Sequence, residues 1–400
     1  MYSDRVLSGM RPTGNLHLGH YHGVLKNWVK LQHQHQCLFF VADWHALTTH
    51  YDSPGTIEHN TREMLIDWIA AGVDPEKAIL FVQSRVPEHA ELHLLLSMIT
   101  PLGWLERVPT YKEQQEKLSE KDLSTYGFLG YPLLQSADIL IYRANMVPVG
   151  EDQVPHVEFT REIARRFNHL FGKEPGHAEL VDAAVKKLGS KRAKVYVDLR
   201  ARYQEKGDAD ALTSARILLD EAQNLGSADR ERLFGHIEGR GRVILTEPEA
   251  LLTEASRMPG TDGQKMSKSY GNTIGLREHP DSVVKKIRTM PTDPARVRRT
   301  DPGDPAKCPV WQFHLVYSDE GRRQWVTAGC RSAGIGCIEC KQPVIDAVLD
   351  EQRPMSERVE PYVREPERLD RIIADGQVRA RAIANETMRD VRGVMGLSGS

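Results

Sequence analysis

Pro12-Thr13-Gly14-Asn15-Leu16-His17-Leu18-Gly19-His20, placed just after the short apolar run Val6-Leu7-Ser8-Gly9, is the stretch whose reading decides the fold. The apolar run reads as a strand, and a Thr-Gly turn leads out of it. Leu18, Tyr21, Val24, Leu25, Trp28 and Leu31 then recur at helical spacing. Both histidines therefore stand at a helix N-terminus, where free backbone N–H groups and the positive end of the helix dipole favour phosphate. Gly19 has no side chain, so an adenine ring or ribose can approach the backbone there. Far downstream comes Lys265-Met266-Ser267-Lys268-Ser269, bounded by Gly263 and Gly271. Two lysines flanked by hydroxyls suit a loop that closes on a triphosphate and neutralises charge on departing pyrophosphate. Taken singly, the first string can be a capped surface turn and the second a solvated basic loop. Together, in this order, they point to an ATP-using site.

The rest of the chain agrees with a nucleotide-binding α/β unit. Cys37-Leu38-Phe39-Phe40-Val41, Ala78-Ile79-Leu80-Phe81-Val82 and Met146-Val147-Pro148-Val149 alternate with helical patterns such as Glu63 to Ala71, ended by Gly72, and His89 to Ile99. Such alternation implies a parallel sheet, with ligands beyond the carboxyl ends of the strands, where His17, Asp43, Gln83 and Gly150-Glu151-Asp152 fall. The 400 residues, 40% hydrophobic, suffice for two or three globular pieces. A net charge of -2 gives no global nucleic-acid signature, so RNA contact must come from local patches. Without an apolar signal core or a run of membrane-spanning length, a cytoplasmic location and no membrane partner are expected.

Further motifs carry a resemblance. Asp43-x-His45-Ala46-Leu47-Thr48, Phe81-Val82-Gln83-Ser84 with Val86-Pro87, Leu105-Glu106-Arg107, Tyr131 through Leu140, and Val147-Pro148-Val149-Gly150-Glu151-Asp152-Gln153 follow one another in order. With the two signatures, the chain resembles the tryptophanyl branch of the class I aminoacyl-tRNA synthetases, over roughly residues 1–172 and 244–400. The resemblance implies a Rossmann-like parallel-sheet catalytic domain (1–172 plus 244–277), a helical insertion (173–243) and a helical anticodon-binding domain (278–400). It implies activation of L-tryptophan by ATP with Mg2+, transfer to tRNA(Trp), and a homodimer. His17, His20, Lys265 and Lys268 would be catalytic. Arg11, Pro12, Thr13, Gly19, Gly150, Glu151, Asp152, Met266, Ser267 and Ser269 would complete the ATP site. Arg11 is a departure, since some relatives carry Gln at this position.

Asp138 carries the substrate argument. It interrupts an apolar helical run, Tyr131 to Tyr142, and a carboxylate facing a core needs a partner. Turning outward, or capping a neighbouring helix, is the ordinary alternative. By the resemblance, Asp138 accepts the indole N–H, while Tyr131, Gln135 and Gln153 surround the α-amino end. An acceptor left unpaired by phenylalanine would reject it by roughly 10⁴ to 10⁵, without an editing domain. Three rivals remain: a tyrosyl-tRNA synthetase, which would need a Tyr and Asp pair for a phenol; a small nucleotidyltransferase, which would lack the Lys-Met-Ser-Lys-Ser loop; and a non-catalytic RNA-binding paralogue.

The insertion carries helical runs such as Ala211 to Leu225, and its cluster Lys186, Lys187, Lys191, Arg192 and Lys194 suits either tRNA phosphates or a solvated face. In the C-terminal part, Leu369, Ile372, Ile373, Ala380, Ile383, Met388, Val391 and Met395 stripe a long helix. Lys285, Lys286, Arg288, Arg296, Arg298 and Arg299 form a candidate phosphate-contacting face. Cysteines are spaced Cys308-x21-Cys330-x6-Cys337-x2-Cys340, and four thiolates suit zinc or an iron–sulfur cluster. Four unligated thiols are the plainer reading, and disulfides the weaker one in a cytosolic protein. The resemblance extends to a bacterial branch with a 4Fe-4S cluster on such a set, which favours that group over Zn2+. Cys37, inside a strand, reads as a buried apolar residue.

Overall fold

The computed structural model describes residues 4–52, 54–108, 124–173, 176–239, 241–252 and 258–397. Its strands are β1 (Arg5–Met10), β2 (Gln36–Val41), β3 (Ala78–Val82), β4 (Met146–Val149) and β5 (Glu249–Leu252), forming one sheet in the order β3-β2-β1-β4-β5. β1 pairs with β2 and β2 with β3 in parallel, Leu7 lying opposite Leu38 and Phe39 opposite Leu80. β3 is buried along its whole length and β2 after its first residue, which is why both read as unbroken apolar runs. The chain builds outward from β1 through β2 and β3, then returns to β1's other side with β4. That reversal puts the switch point beside the carboxyl end of β1, from which the His17 turn emerges. The four expected strands are found; β5, exposed at both ends and half-buried between, had no long apolar run to announce it.

The helices in chain order are α1 (Leu18–His20), then a π-helical turn (Tyr21–Leu25), α2 (Lys26–Leu31), α3 (Asp43–His50), α4 (Ile57–Ala71), α5 (Glu88–Ser97), α6 (Leu102–Leu105), α7 (Tyr126–Leu129), α8 (Tyr131–Ile141), α9 (Val154–Phe171), α10 (His177–Lys187), α11 (Gly189–Lys206), α12 (Ala209–Asp220), α13 (Ser227–Ile237), α14 (Pro280–Arg288), α15 (Pro309–Tyr317), α16 (Glu320–Arg331), α17 (Cys337–Arg364) and α18 (Glu367–Val394). The expected helix after the first motif is thus broken by a π turn. α4 stops where Gly72 turns left-handed at φ +106°. The Ala211 to Leu225 run ends its helix at Asp220 and continues as turns. Among the described residues, no helix is long and apolar enough to cross a membrane.

Contacts divide the chain into two units. One comprises Met1–Arg85, Pro148–Glu151 and Leu251–Arg379; the other, Val86–Val147, Asp152–Ala250 and Ala380–Ser400. In the first, Trp28 stacks on Phe39 at 4.1 Å between ring centroids and meets Trp68 edge-on at 5.1 Å. Each such ring contributes about 1.5–3 kcal/mol by burial. α17 packs on α4 and α14, and Gly376 of α18 crosses β3 so closely that a Cβ there would lie 1.8 Å from the Leu80 carbonyl oxygen. In the second unit, α8 packs between α5 and α9, and α10 to α13 enclose a core of their own around Tyr196, Leu199, Leu219 and Leu233.

The Gly376 crossing yields a direct test. Gly376→Ala is expected to lower the urea midpoint by an amount worth about 1–3 kcal/mol or more, because backbone must move. Gly393→Ala, in the same helix with open space around it, should hold or raise stability by up to about 1 kcal/mol.

Candidate active site

The segment after β1 builds a tight imidazole cradle. His17 is extended at the N-cap of α1, and its Nδ1 accepts from the Gly19 amide at 3.1 Å. His20 Nδ1 accepts in turn from the His17 amide at 3.2 Å. The two rings lie 3.9 Å apart, tilted by 46°. With both Nδ1 atoms accepting, the ring protons belong on Nε2. A Cβ at Gly19 would stand 2.8 Å from His17 Nδ1, so only glycine lets the ring fold back there. Burial, then Lys268, lowers His17 to about 4. Burial, then His17 and Lys268, lowers His20 to about 3. Both are neutral donors near pH 7.

The second signature is shaped by Asn272, a buried residue. Its Oδ1 accepts from the Ser267 amide at 2.8 Å, and its Nδ2 donates to Asp262 Oδ1 at 2.7 Å and to the Lys265 carbonyl at 3.1 Å. Ser267 and Ser269 hydroxyls are 2.8 Å apart. Met266 is buried, with its Cβ 3.5 Å from where a Gly19 Cβ would be. Lys268 Nζ donates to the Thr13 carbonyl at 3.2 Å. Desolvation there lowers its pKa, opposed by Asp67. Lys265 is exposed.

The two signatures meet along a short antiparallel contact. His17 bridges Gly275, the Leu18 amide donates to Ile274 O at 2.9 Å, and the Leu276 amide donates to Leu16 O at 3.1 Å. Asp67 of α4 anchors the join: its Oδ2 accepts from the Leu16 amide at 2.9 Å, its Oδ1 from Arg277 Nε at 2.6 Å. Glu63 takes the other side of Arg277. A cavity of about 710 Å³ opens here, lined by Asn15, His17, Asp67, Lys268, Thr273 and Arg277 among others. Thus Thr13, His17, His20, Met266 and Lys268 come together. Arg11 and Glu151 are exposed, Pro12 is buried and Gly150 is half-buried.

In the other unit, Tyr131, Gln135, Asp138 and Tyr142 follow one another at spacings of four, three and four along the end of β4's preceding helix, α8. Asp138 is buried, 1% exposed, so it does not turn outward. The protein supplies a partner: His89 Nδ1 lies 2.6 Å from Asp138 Oδ1, and His89 Nε2 lies 2.6 Å from the Tyr142 hydroxyl. Burial, then Asp138 and Glu88, raises Tyr142 well above its ordinary value. Tyr131 packs on His156, ring centroids 5.7 Å apart. Gln135 and Gln153 are half-buried, and Asp152, exposed, accepts from Gln153 Nε2 at 3.1 Å.

The four clustered cysteines are drawn from three places: Cys308 caps α15, Cys330 lies near the end of α16, and Cys337 and Cys340 lie in the first turn of α17. Each is a free thiol, and Cys37 is buried as expected. Burial, then the other three thiols, pushes Cys340 up to about 12. Two buried cations stand by. Arg296 Nη1 is 3.9 Å from Cys330 Sγ, and Lys341 donates to the Arg288 and Met290 carbonyls at 2.7 and 2.6 Å. Arg296 is therefore not part of an exposed phosphate face, since its Nη2 also donates to the Arg299 carbonyl at 3.1 Å. Among the described residues, no three His, Cys, Asp or Glu side chains are set to grip one metal ion as placed.

Asp67, Arg277, Asn272, His22 and His89 were not singled out by sequence. Polar residues scattered one at a time announce nothing until tertiary contacts bury them.

The sequence profile of the tRNA synthetases class I (W and Y) matches residues 3–192 and 212–350. The tryptophan–tRNA ligase of Ralstonia nicotianae is 71% identical over 398 residues, covering 100% of both chains. That of Thermotoga maritima is 44% identical, covering 98% of this chain and 99% of its own. The tryptophanyl-tRNA synthetase of Campylobacter jejuni complexed with ADP and tryptophan superposes with a TM-score of 0.72 at 27% identity, covering 98% of this chain and 100% of that one. With the two signatures joined on a parallel sheet, these likenesses show that the chain belongs to the class I tRNA synthetases of the tryptophan and tyrosine group.

Proposed function

We infer that the chain activates L-tryptophan with ATP, giving tryptophanyl-adenylate and pyrophosphate, and then transfers the tryptophanyl group to tRNA(Trp). The joining of the two signature segments through His17 and Gly275 carries this reading, and the full-length relatives named as tryptophan–tRNA ligases support it. A homodimer acting in the cytoplasm is the assembly and location that go with this activity.

The attacking carboxylate is already ionised, so little acid–base work is needed. Its oxygen bonds to the α-phosphorus as the bond to the bridging oxygen breaks, and pyrophosphate leaves. In the second step a terminal ribose hydroxyl of the tRNA attacks the carbonyl, and AMP leaves. His17 and His20 would offer Nε2–H donors to the α-phosphate oxygens, while Lys265 and Lys268 would meet the β and γ phosphates. Neutral donors suit the α-phosphate, because they stabilise charge as it develops without clamping the ground state. Mg2+ accompanies the triphosphate. Arg11, Pro12, Thr13, Gly19, Gly150, Glu151, Asp152, Met266, Ser267 and Ser269 would frame the nucleotide. Asp138, held by His89, would receive the indole N–H, with Tyr131, Gln135 and Gln153 at the α-amino end. The domain scheme proposed for this work is 1–172 plus 244–277 for catalysis, 173–243 as an insertion and 278–400 for the anticodon.

The four thiols fit a metal group in kind. Beyond burial, Cys308, Cys330 and Cys337 all raise the Cys340 pKa, Cys337 and Cys340 lie at the positive N-terminus of α17, and Arg296 and Lys341 stand near to offset thiolate charge. These residues would hold a 4Fe-4S cluster, in preference to zinc, and the group would supply a covalent tie between α15, α16 and α17.

Replacing Asp138 by Asn should raise the tryptophan KM by about 100-fold and narrow tryptophan-over-phenylalanine discrimination, leaving the ATP KM within about twofold. Unchanged discrimination in ATP–pyrophosphate exchange would exclude Asp138 as the indole acceptor. A second expectation concerns acid. His17, His20, His236 and His314 titrate at about 4, 3, 4 and 4 when folded, against 6.5 in the open chain. The unfolded chain then binds more protons below pH 6.5, so stability falls as pH drops from 6.5 toward 4. Urea midpoints measured across that range should decline, and more shallowly in a His17→Asn, His20→Asn double variant. For the thiols, protein purified without oxygen should show broad brown absorption with iron and sulfide in matching amounts. One zinc in a colourless protein would make the site a zinc staple, and neither metal would remove the ligand reading.

A further inference from the structure

Glu351 and Gln352 stand side by side on α17, and each reaches one of the two signature segments. Glu351 Oε2 accepts from the Tyr317 hydroxyl at 2.8 Å and lies 3.0 Å from His22 Nε2, which is itself 3.1 Å from the Tyr317 hydroxyl. Glu351 Oε1 accepts from Lys26 Nζ at 3.3 Å. His22 is buried at 8% exposure, two residues beyond His20 and inside the π turn. Gln352 Nε2 donates to the Gly275 carbonyl at 2.7 Å. Gly275 is the residue bridged to His17. Gln352 is 4% exposed, and its Oε1 has no hydrogen-bond partner among the described residues.

The local geometry is unusual in the direction that function would demand. The apolar spacing after Leu18 fits an ordinary helix, yet the Lys26 amide bonds back to Tyr21 O across a π turn. That extra residue per turn carries His22 inward, into the stripe formed by Leu18, Leu25 and Trp28, and leaves Tyr21 half-exposed. Single π turns of this kind are found mostly at functional sites. Packing a buried histidine against a half-buried tyrosine and carboxylate is stabilising only while all partners are in register, so such a network fixes one arrangement more sharply than apolar contacts would. A displacement of α17 therefore moves the turn that carries His20 and the segment that backs His17 together.

We propose that Glu351 and Gln352 are positioning residues for adenylate formation, acting through the His22–Tyr317 pair and the Gly275 carbonyl to set the two signatures relative to each other. The proposal rests on the reading of His17 and His20 as ATP-site residues. It also gives α17, whose first turn bears Cys337 and Cys340, a route to the activation step: α15 carries Tyr317 at one end and is capped by Cys308 at the other.

The test uses the full chain and tryptophan-dependent ATP–pyrophosphate exchange, with urea midpoints on every variant. Gln352→Met keeps the side-chain shape and removes the N–H; Tyr317→Phe removes one hydroxyl and is the milder change if Glu351→Gln fails to fold. In folded variants kcat should fall about 10-fold or more with the tryptophan KM within about twofold. Combined with His20→Asn, Glu351→Gln and Tyr317→Phe should each cost less than about threefold further, and Gln352→Met likewise when combined with His17→Asn, because the ring each one positions is gone. Folded variants with wild-type kcat would overturn the proposal, as would an undiminished loss of Glu351→Gln or Tyr317→Phe in the His20→Asn background or of Gln352→Met in the His17→Asn background. If His20→Asn alone is harmless, the reading of the ATP site fails and takes the proposal with it; if His20→Asn is damaging and Gln352→Met and Tyr317→Phe are silent, only the positioning role fails.

Discussion

The antiparallel contact of Leu16–Leu18 with Ile274–Leu276 is the constraint on which the joining of the two signatures depends. It closes a very long loop, and loop-closure entropy grows only slowly with length, so a few well-placed groups suffice to hold it. Asp67 supplies the strongest of these. One carboxylate oxygen takes the Leu16 amide and the other takes Arg277, so a single buried side chain fastens both partners of the contact to α4. Burial raises the Asp67 pKa, against the pull of Arg277 and the Leu16 amide. Breaking the pair would leave a buried charge uncompensated, which costs far more than the pair contributes. Everything that follows in the site presupposes this join: Lys268 reaches Thr13, and Met266 lies beneath Gly19, only because residues 274–276 have already been brought alongside 16–18.

Charge in the site is arranged for a polyanion. Glu63 and Asp67 are spent on Arg277, and Glu278 is spent on Lys286, Ser282 and the Gly275 amide. What remains facing the cavity is the Lys268 ammonium and the neutral His17 imidazole, with the His20 ring packed beside it. A protonated imidazole beside Lys268 would suffer like-charge repulsion as well as desolvation, which is why both rings titrate so low. A triphosphate placed there would reverse that balance, since its charge would favour the cationic and hydrogen-bond-donating forms of these side chains.

Sequence made the parallel sheet and both signatures legible, because buried strands read as unbroken apolar runs and the signatures are contiguous. Asp138 was legible as well, as a carboxylate in an apolar helix, and its burial shows why the residue drew notice. Its partner His89 was not, since proximity across 49 positions leaves no local mark. The π turn was hidden for a different reason. Apolar residues at Leu18, Leu25 and Trp28 satisfy a regular helix equally well, and only the burial of His22 in place of Tyr21 distinguishes the two. Arg296 misled in the opposite direction, since a basic residue in a basic run looks solvated until carbonyls are found holding its guanidinium.

The helices α10 to α13 form a bundle that settles its own core. Small and branched residues, Ala184, Ala211, Ala215, Leu219 and Leu233 among them, close a core made by α10 to α13 alone. The buried Tyr196 hydroxyl is satisfied inside it, donating to Leu233 O at 2.8 Å. Asp208 caps α12 and pairs with Arg202, and Lys187 pairs with Asp229, so the helix ends are also settled locally. Lys186, Lys191, Arg192 and Lys194 are left exposed on the outside. A bundle that closes its core with its own residues stands as a local unit. The family profile passes over residues 193–211, most of α11 among them, while matching 173–192 and 212–243 on either side as well as the strands and signatures.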